Sequence, residues 1–297
     1  MGVVLPLLRR NDGILIQERN QIMGFFDKLK KIKNRKMSKP FVYDASVEAI
    51  AAKARVASSN EELAEICEQL NVADKIELGK VDLWLARRAL STVYRTLKKY
   101  PELRCKLNYF GTLYGFIQNK DNIFYQIHGI NDKYLLDAVK VYTDELANSC
   151  LQTFKNNGLA VSFTSGVTDY CISGIIINAK SLNQQTILEN LAYGEQSGHS
   201  PKGCNSIKYV MDHEIGHLLD DLLKIDGCYA YSKILRKYDK EFVRDNLSSY
   251  CVMDDAMYAK EVLAEGYAEY CNNPTPREIA LAIGQMIDKR YKEKYNG

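Results

Sequence analysis

Two histidines one helical turn apart are the residues best suited to chemistry in this chain of 297 residues. They are His213 and His217, and the segment they enclose reads His-Glu-Ile-Gly-His, the H-E-x-x-H pattern. Positions i and i+4 of a helix lie on one face, so both imidazoles can reach the same metal ion. Glu214 then lies beside that ion, where a carboxylate can act as a general base. The pattern predicts a catalytic metal site, and a buried histidine pair without metal is the weaker interpretation.

A catalytic zinc site has three protein ligands and keeps the fourth position for water. A third histidine at the spacing H-E-x-x-H-x-x-G-x-x-H is absent, because position 223 is Leu. Downstream, three carboxylates follow one another at four-residue spacing, namely Glu261, Glu265 and Glu269. Apolar residues between them predict a helix with a buried face, where an unpaired carboxylate would be costly. The residues by themselves leave open which of the three binds the metal.

This pair of motifs resembles the gluzincin metallopeptidases of the anthrax lethal factor group, which includes the Pro-Pro endopeptidases and zincin-like domains of phage proteins and toxins. The matching residues are H-E-I-G-H at 213–217, E-G-Y-A-E at 265–269, and a tyrosine seven positions before the second motif. The resemblance implies that Glu265 is the third zinc ligand and that Tyr258 assists the transition state. The thermolysin branch has E-x-x-x-D where this chain has Glu269, which favours the lethal factor-like branch.

The function implied is that of a zinc-dependent endopeptidase, which hydrolyses peptide bonds with a metal-activated water. Glu214 is its general base, and Tyr258 donates a hydrogen bond to the oxyanion. Asp220 and Glu269 are candidate acceptors for the N–H of a ligand histidine. His128 and His199 belong to no motif and are interpreted as ordinary polar residues. The alternative is a zincin-fold phage virion or toxin-associated domain with a structural or interaction role and no relevant proteolysis.

The elements that must position these residues are predicted from hydrophobic periodicity. Helices are expected at about 59–70, 81–100, 133–155, from 205 onward, and at 278–294. Two segments rich in Val, Ile and Ser, 159–163 and 171–178, predict strands. The fold class expected is α+β, a mainly helical zincin-like domain with a small sheet. The resemblance implies that Ser173 to Asn178 is the edge strand that binds a peptide substrate. Residues 78–297 are predicted to form this domain, and residues 1–77 a basic leader and an N-terminal helical region.

Positive charge is concentrated at the start of the chain. Residues 1–40 carry ten Lys or Arg against three Asp or Glu, whereas the whole chain has a net charge of only +3. The body therefore lacks the basic surface expected of a nucleic-acid-binding protein. The amphipathic segment 24–36 could contact a membrane, although a solvated leader is the preferred interpretation. Translation could start at Met1 or Met23. Without a signal peptide, cytoplasmic synthesis is expected, and phage association or signal-independent export stays open.

Overall fold

The structure is a computed structural model that describes residues 39–128, 133–156, 158–164, 172–182 and 184–295. The basic leader up to residue 38 lies outside the described residues. The predictions for segment 24–36 and for the two start codons therefore concern residues that the structure does not describe. None of the described helices has the length and the apolar composition needed to cross a membrane.

The described part of the chain is mainly helical and contains one small mixed sheet. Its helices are α1 (Ala45–Ala54), α2 (Asn60–Gln69), α3 (Leu83–Lys99), α4 (Leu113–His128), α5 (Lys133–Lys155), α6 (Gln184–Gln196), α7 (Ile207–Leu223), α8 (Tyr229–Lys237), α9 (Lys240–Asn246), α10 (Tyr258–Asn272) and α11 (Glu278–Tyr295). Its strands are β1 (Lys75–Glu77), β2 (Tyr109–Thr112), β3 (Ala160–Thr164) and β4 (Ser173–Ile177). Short 3-10 helices cover Pro101–Lys106 and Tyr250–Val252.

The helices begin and end where local sequence signals predict. The Ser59 side chain caps α2 by accepting a hydrogen bond from the backbone N–H of Glu62, and Asp82 caps α3 in the same way. Such caps satisfy backbone donors that the first helical turn leaves unpaired. Pro101 follows the end of α3 and opens the next 3-10 helix. The predicted helices at 59–70, 81–100, 133–155 and 278–294 are confirmed.

The sheet corrects the prediction about the edge strand. Its strand order is β1-β2-β4-β3, with β1, β2 and β4 parallel and β3 antiparallel to β4. The strand Ser173–Ile177 therefore lies inside the sheet, and the edge next to it is Ala160–Thr164. All five residues of β4 are buried, as expected of a strand paired on both sides. The short strands β1 and β2 were not predicted.

The core positions the site by packing α7 between the sheet and two other helices. Helix α7 contacts β3, α3 and α10, and most of its residues are buried. A single hydrophobic cluster extends from Phe41 to Tyr291 and includes residues of α1, α2 and β1. Part of the segment 1–77 thus contributes to the same core as the rest of the chain. The boundary predicted after residue 77, between the N-terminal region and the zincin-like domain, stays a prediction.

Candidate metal centre

The centre is built on two antiparallel helices, α7 and α10, that approach very closely. Gly216 lies at their crossing, where an added Cβ would stand 2.8 Å from the Cα of Ala264. Real Cβ atoms do not approach a backbone carbon so closely, so a glycine is required at this position of the H-E-x-x-H segment. The close crossing brings carboxylates of α10 within reach of both histidines of α7.

Three buried side chains converge at this crossing. The Nε2 atoms of His213 and His217 lie 3.2 Å apart, and Oε2 of Glu261 is 3.3 Å from the first and 3.7 Å from the second. All three residues are buried, with 3 to 8% of their surface exposed. Their ligand atoms form a group that could hold a metal ion. Glu261, one of three carboxylates that the sequence left open, is the one that the fold places here.

Glu265, which the family resemblance implies as the ligand, lies on the other side of His213. Its Oε1 is 2.7 Å from Nδ1 of His213 and accepts a second hydrogen bond, of 2.8 Å, from the Tyr209 hydroxyl. A carboxylate at Nδ1 holds the imidazole in the tautomer that carries its proton there, which leaves the Nε2 lone pair for a metal. The helix register explains this placement, because Glu265 is one turn farther along α10 than Glu261.

The charges of the centre are strongly coupled. Burial alone would lower the pKa of His213, but the adjacent carboxylates of Glu261 and Glu265 outweigh it and raise that pKa to about 10. Burial would raise the pKa of Glu261, but contacts with His213 and His217 hold it well below its usual range. Neither carboxylate oxygen of Glu261 accepts a well-formed hydrogen bond from the described residues. A buried carboxylate in this state is costly, and a cation would remove that cost.

Glu214 takes a position different from that of the histidines. It is 3% exposed, and its Oε2 accepts a hydrogen bond from the backbone N–H of Ser162 on β3. The backbone N–H of Asn178 donates to the carbonyl of Leu159, so the backbone N–H and C=O groups of residues 159, 161 and 163 point toward β4. Ser162 and Thr164 therefore direct their backbone groups away from the sheet. No other described strand pairs with this side of β3, and Glu214, the base predicted from the motif, lies directly against it.

Tyr258, which the resemblance implies as the residue that assists the transition state, precedes Glu261 by three residues on α10. It begins α10, and Lys240 Nζ lies 5.0 Å from the centre of its ring. Burial raises the pKa of the Tyr258 hydroxyl, and the nearby Cys251 and Asp239 raise it further. Its hydroxyl is buried without a hydrogen-bond partner among the described residues.

Tyr250 is a tyrosine that faces the centre. Its ring lies 5.9 Å from the ring of His213, and the ring of His199 lies 5.4 Å from its outer side. Burial, followed by the charges of Glu261 and Glu265, raises the pKa of Tyr250, so its hydroxyl stays protonated and able to donate. Sequence analysis missed this residue because it lies in the 3-10 helix before α10, outside any helical spacing with the ligands.

The two predicted histidine partners have other roles. Asp220 accepts a hydrogen bond from the backbone N–H of Asp226. Glu269 is fully buried and forms an ion pair with Arg277. Neither accepts a hydrogen bond from His213 or His217 in the described structure. The acceptor that orients His213 is Glu265.

A cleft of about 240 Å³ opens beside His217. One wall is the edge strand β3, and the other is the last part of α7 with the loop that follows it. The side chains that line it include Ser162, Thr164, Leu218, Asp220 and Lys260. The metal-ligand group thus borders, through His217, a space that a substrate could enter alongside β3.

In comparisons with known proteins, no protein family, curated protein or solved structure matches this chain. The proposals that follow therefore depend on the residues of this chain, with the resemblance of its motifs as support.

Proposed function

We propose that this chain is a zinc-dependent endopeptidase whose zinc is held by His213, His217 and Glu261. The observation that carries the proposal is the triangle of ligand atoms, with sides of 3.2, 3.3 and 3.7 Å. Zinc bonds of about 2.0–2.1 Å in tetrahedral geometry place neighbouring ligand atoms roughly 3.4 Å apart. Two imidazoles and one carboxylate are a common ligand set of catalytic zinc, which leaves a fourth position open.

Zinc, when bound, would polarise the scissile carbonyl and make water a nucleophile at neutral pH. The remaining chemistry belongs to the chain. Ser162 N–H occupies Oε2 of Glu214, so the other carboxylate oxygen is available to take a proton from water and to return it to the leaving amine. Glu265 and Tyr209 keep the Nε2 lone pair of His213 directed at the ligand group. Tyr250 is the donor placed to stabilise the oxyanion.

A peptide substrate is favoured by the outer edge of β3, with which no other described strand pairs. An extended peptide can add to an exposed strand edge through backbone hydrogen bonds. Since Ser162 N–H is engaged by Glu214, the carbonyl of Ser162 and the backbone of Thr164 are the groups left for pairing. This assignment replaces Ser173 to Asn178 as the proposed substrate strand, and it places the peptide next to both the base and His217.

The experiment that tests the proposal compares wild type with Glu214→Gln. Both proteins should contain about one zinc per chain by elemental analysis, because Glu214 is no ligand. Wild type should generate new N-termini in a proteome-derived peptide library, and the variant should do so about 10²–10⁴ times more slowly. Glu241→Gln, an exposed substitution on α9, is the matched control and should keep full activity.

The outcomes separate the two functional hypotheses. Zinc in both proteins with no cleavage by wild type would favour the zincin-fold structural domain. Wild type that binds no zinc would refute the metal centre itself. Equal cleavage by wild type and Glu214→Gln would exclude Glu214 as the base.

A further inference from the structure

Outside the ligand group, the most unusual charged residue of α7 is Asp212, which immediately precedes His213. Its carboxylate is fully buried. Arg95 of α3 donates through Nη2 to both oxygens, at 2.8 and 2.7 Å, and Asn272 Nδ2 donates to Oδ2 at 2.9 Å. Three helices therefore meet at one carboxylate, which satisfies the hydrogen bonding of a buried charge.

The position of these contacts relates them to the metal ligands. Asn272 is the last residue of α10, the helix that carries Glu261 and Glu265, and Asp212 is on α7 with both histidines. At about 1.5 Å per residue, Asn272 lies roughly 16 Å along α10 from Glu261. The antiparallel pair is thus fixed at one end by Asp212 and Asn272, and near its middle by the contact of Gly216 with Ala264.

We propose that Arg95, Asp212 and Asn272 form a positioning clamp that sets the axial register of α7 against α10 and thereby the distances from the two histidines to Glu261. The proposal rests on the metal centre proposed above. A slip of α10 along α7 changes the distance from Glu261 to both Nε2 atoms directly. Arg95 holds both oxygens of Asp212 from α3, and Asn272 transmits the position of that carboxylate to α10.

A second buried ion pair on the same helix provides a matched control. Glu269 of α10 is fully buried, and Arg277 donates to it through Nη2 at 2.6 Å. Arg277 lies in the segment between α10 and α11 and also donates to the carbonyl of Leu247. This pair therefore contributes to the same core without joining α10 to α7.

The test measures Zn²⁺ affinity by chelator competition and the visible absorption spectrum of Co²⁺-substituted protein. Asn272→Ala and Arg95→Met should each weaken Zn²⁺ binding by about 10–100-fold and change the Co²⁺ spectrum of the folded protein. Arg277→Met and Glu269→Gln should lower the unfolding midpoint while Zn²⁺ affinity stays within about twofold and the Co²⁺ spectrum is unchanged. Arg95→Lys should recover part of the lost affinity.

Two variants keep the proposal testable if Arg95→Met does not fold. Asp212→Asn combined with Arg95→Met removes both charges of the pair, and Asn272→Ala removes only the hydrogen bonds of one amide, to Asp212 and to the carbonyl of Ala268. The clamp is refuted if these variants bind Zn²⁺ as tightly as wild type, or if the Arg277 and Glu269 variants weaken binding equally. Wild type that binds neither Zn²⁺ nor Co²⁺ would instead refute the metal centre, and the clamp with it.

Discussion

The two halves of α10 place similar carboxylates in opposite situations. In the second half, Glu269 is buried but receives three hydrogen bonds from the guanidinium of Arg277, a permanent cation. In the first half, Glu261 is equally buried but lies against the imidazoles of His213 and His217, with which it could share a metal ion. The comparison teaches that burial alone does not identify a functional carboxylate. The informative feature is a buried carboxylate that lies beside two metal-ligating imidazoles and accepts no well-formed hydrogen bond from the described residues.

Removing each carboxylate in turn gives the largest expected contrast. Glu261→Gln should lose nearly all bound zinc, because it leaves the site one ligand short. Glu269→Gln should keep about one zinc per chain but lose roughly 3 kcal/mol of unfolding free energy, since Arg277 is left without its partner. Elemental analysis and denaturant unfolding measure the two effects. Loss of zinc in Glu265→Gln with retention in Glu261→Gln would restore the assignment that the resemblance implies.

Tyr250 and Tyr258 allow a similar paired test of catalysis. Tyr250→Phe should reduce kcat and kcat/KM together by about 10²–10³, because a hydrogen bond made only in the transition state is lost. Tyr258→Phe should stay within about twofold of wild type, since that hydroxyl forms no hydrogen bond with the described residues. Steady-state kinetics on one cleaved peptide decides between them. The opposite pattern would make Tyr258 the oxyanion donor.

Two glycines allow the helix crossing to be tested separately from general stability. Gly216→Ala places a methyl group against the backbone of Ala264, so the two ligand helices must move apart. We expect a loss of about 1–3 kcal/mol in stability together with weaker zinc binding. In Gly266→Ala the new methyl group meets the side chain of Ile283 on α11. That variant should lose stability with zinc affinity unchanged, and equal zinc affinities in both would contradict the proposed role of the crossing.

The pH dependence of zinc binding should be the smallest of these effects when it is counted for one pH unit. In the metal-free protein, Glu261 and Glu265 raise the pKa of His213 to about 10 against the opposing effect of burial, so zinc must displace a proton at neutral pH. Zinc affinity should therefore rise by about tenfold per pH unit between pH 6 and 8 for that proton. Glu269→Gln should show the same slope, and a flat profile would contradict the coupling of His213 to the carboxylates.

The raised pKa of His213 also makes the stability of the metal-free fold depend on pH. Because the folded-state pKa of His213 is raised, its contribution to the metal-free fold is fully present below the unfolded value of about 6.5. The contribution is lost as pH rises through about 10. Unfolding of metal-free protein at pH 6 and pH 9 should show this loss, whereas zinc-loaded protein should not.

Local signals in the sequence were sufficient for the helices and for part of the site. The i, i+4 spacing of His213 and His217 places both on one face of α7, and capping residues such as Ser59 and Asp82 fix helix starts. These features depend on neighbours within one helical turn. The strands β1 and β2 escaped prediction because they have only three and four residues, too few for a period-two pattern to be recognised.

What only the tertiary structure decided is the identity of the partners that meet those histidines. The pattern E-x-x-A-E occurs twice in overlapping register, as Glu261 to Glu265 and as Glu265 to Glu269, so the sequence determined that α10 offers carboxylates one turn apart but not which one reaches the ligand group. The choice depends on where α10 crosses α7, which is set by long-range contacts at Gly216 and Asp212. The position of Tyr250 and the edge location of β3 were decided in the same way, because both depend on segments brought together from distant parts of the chain.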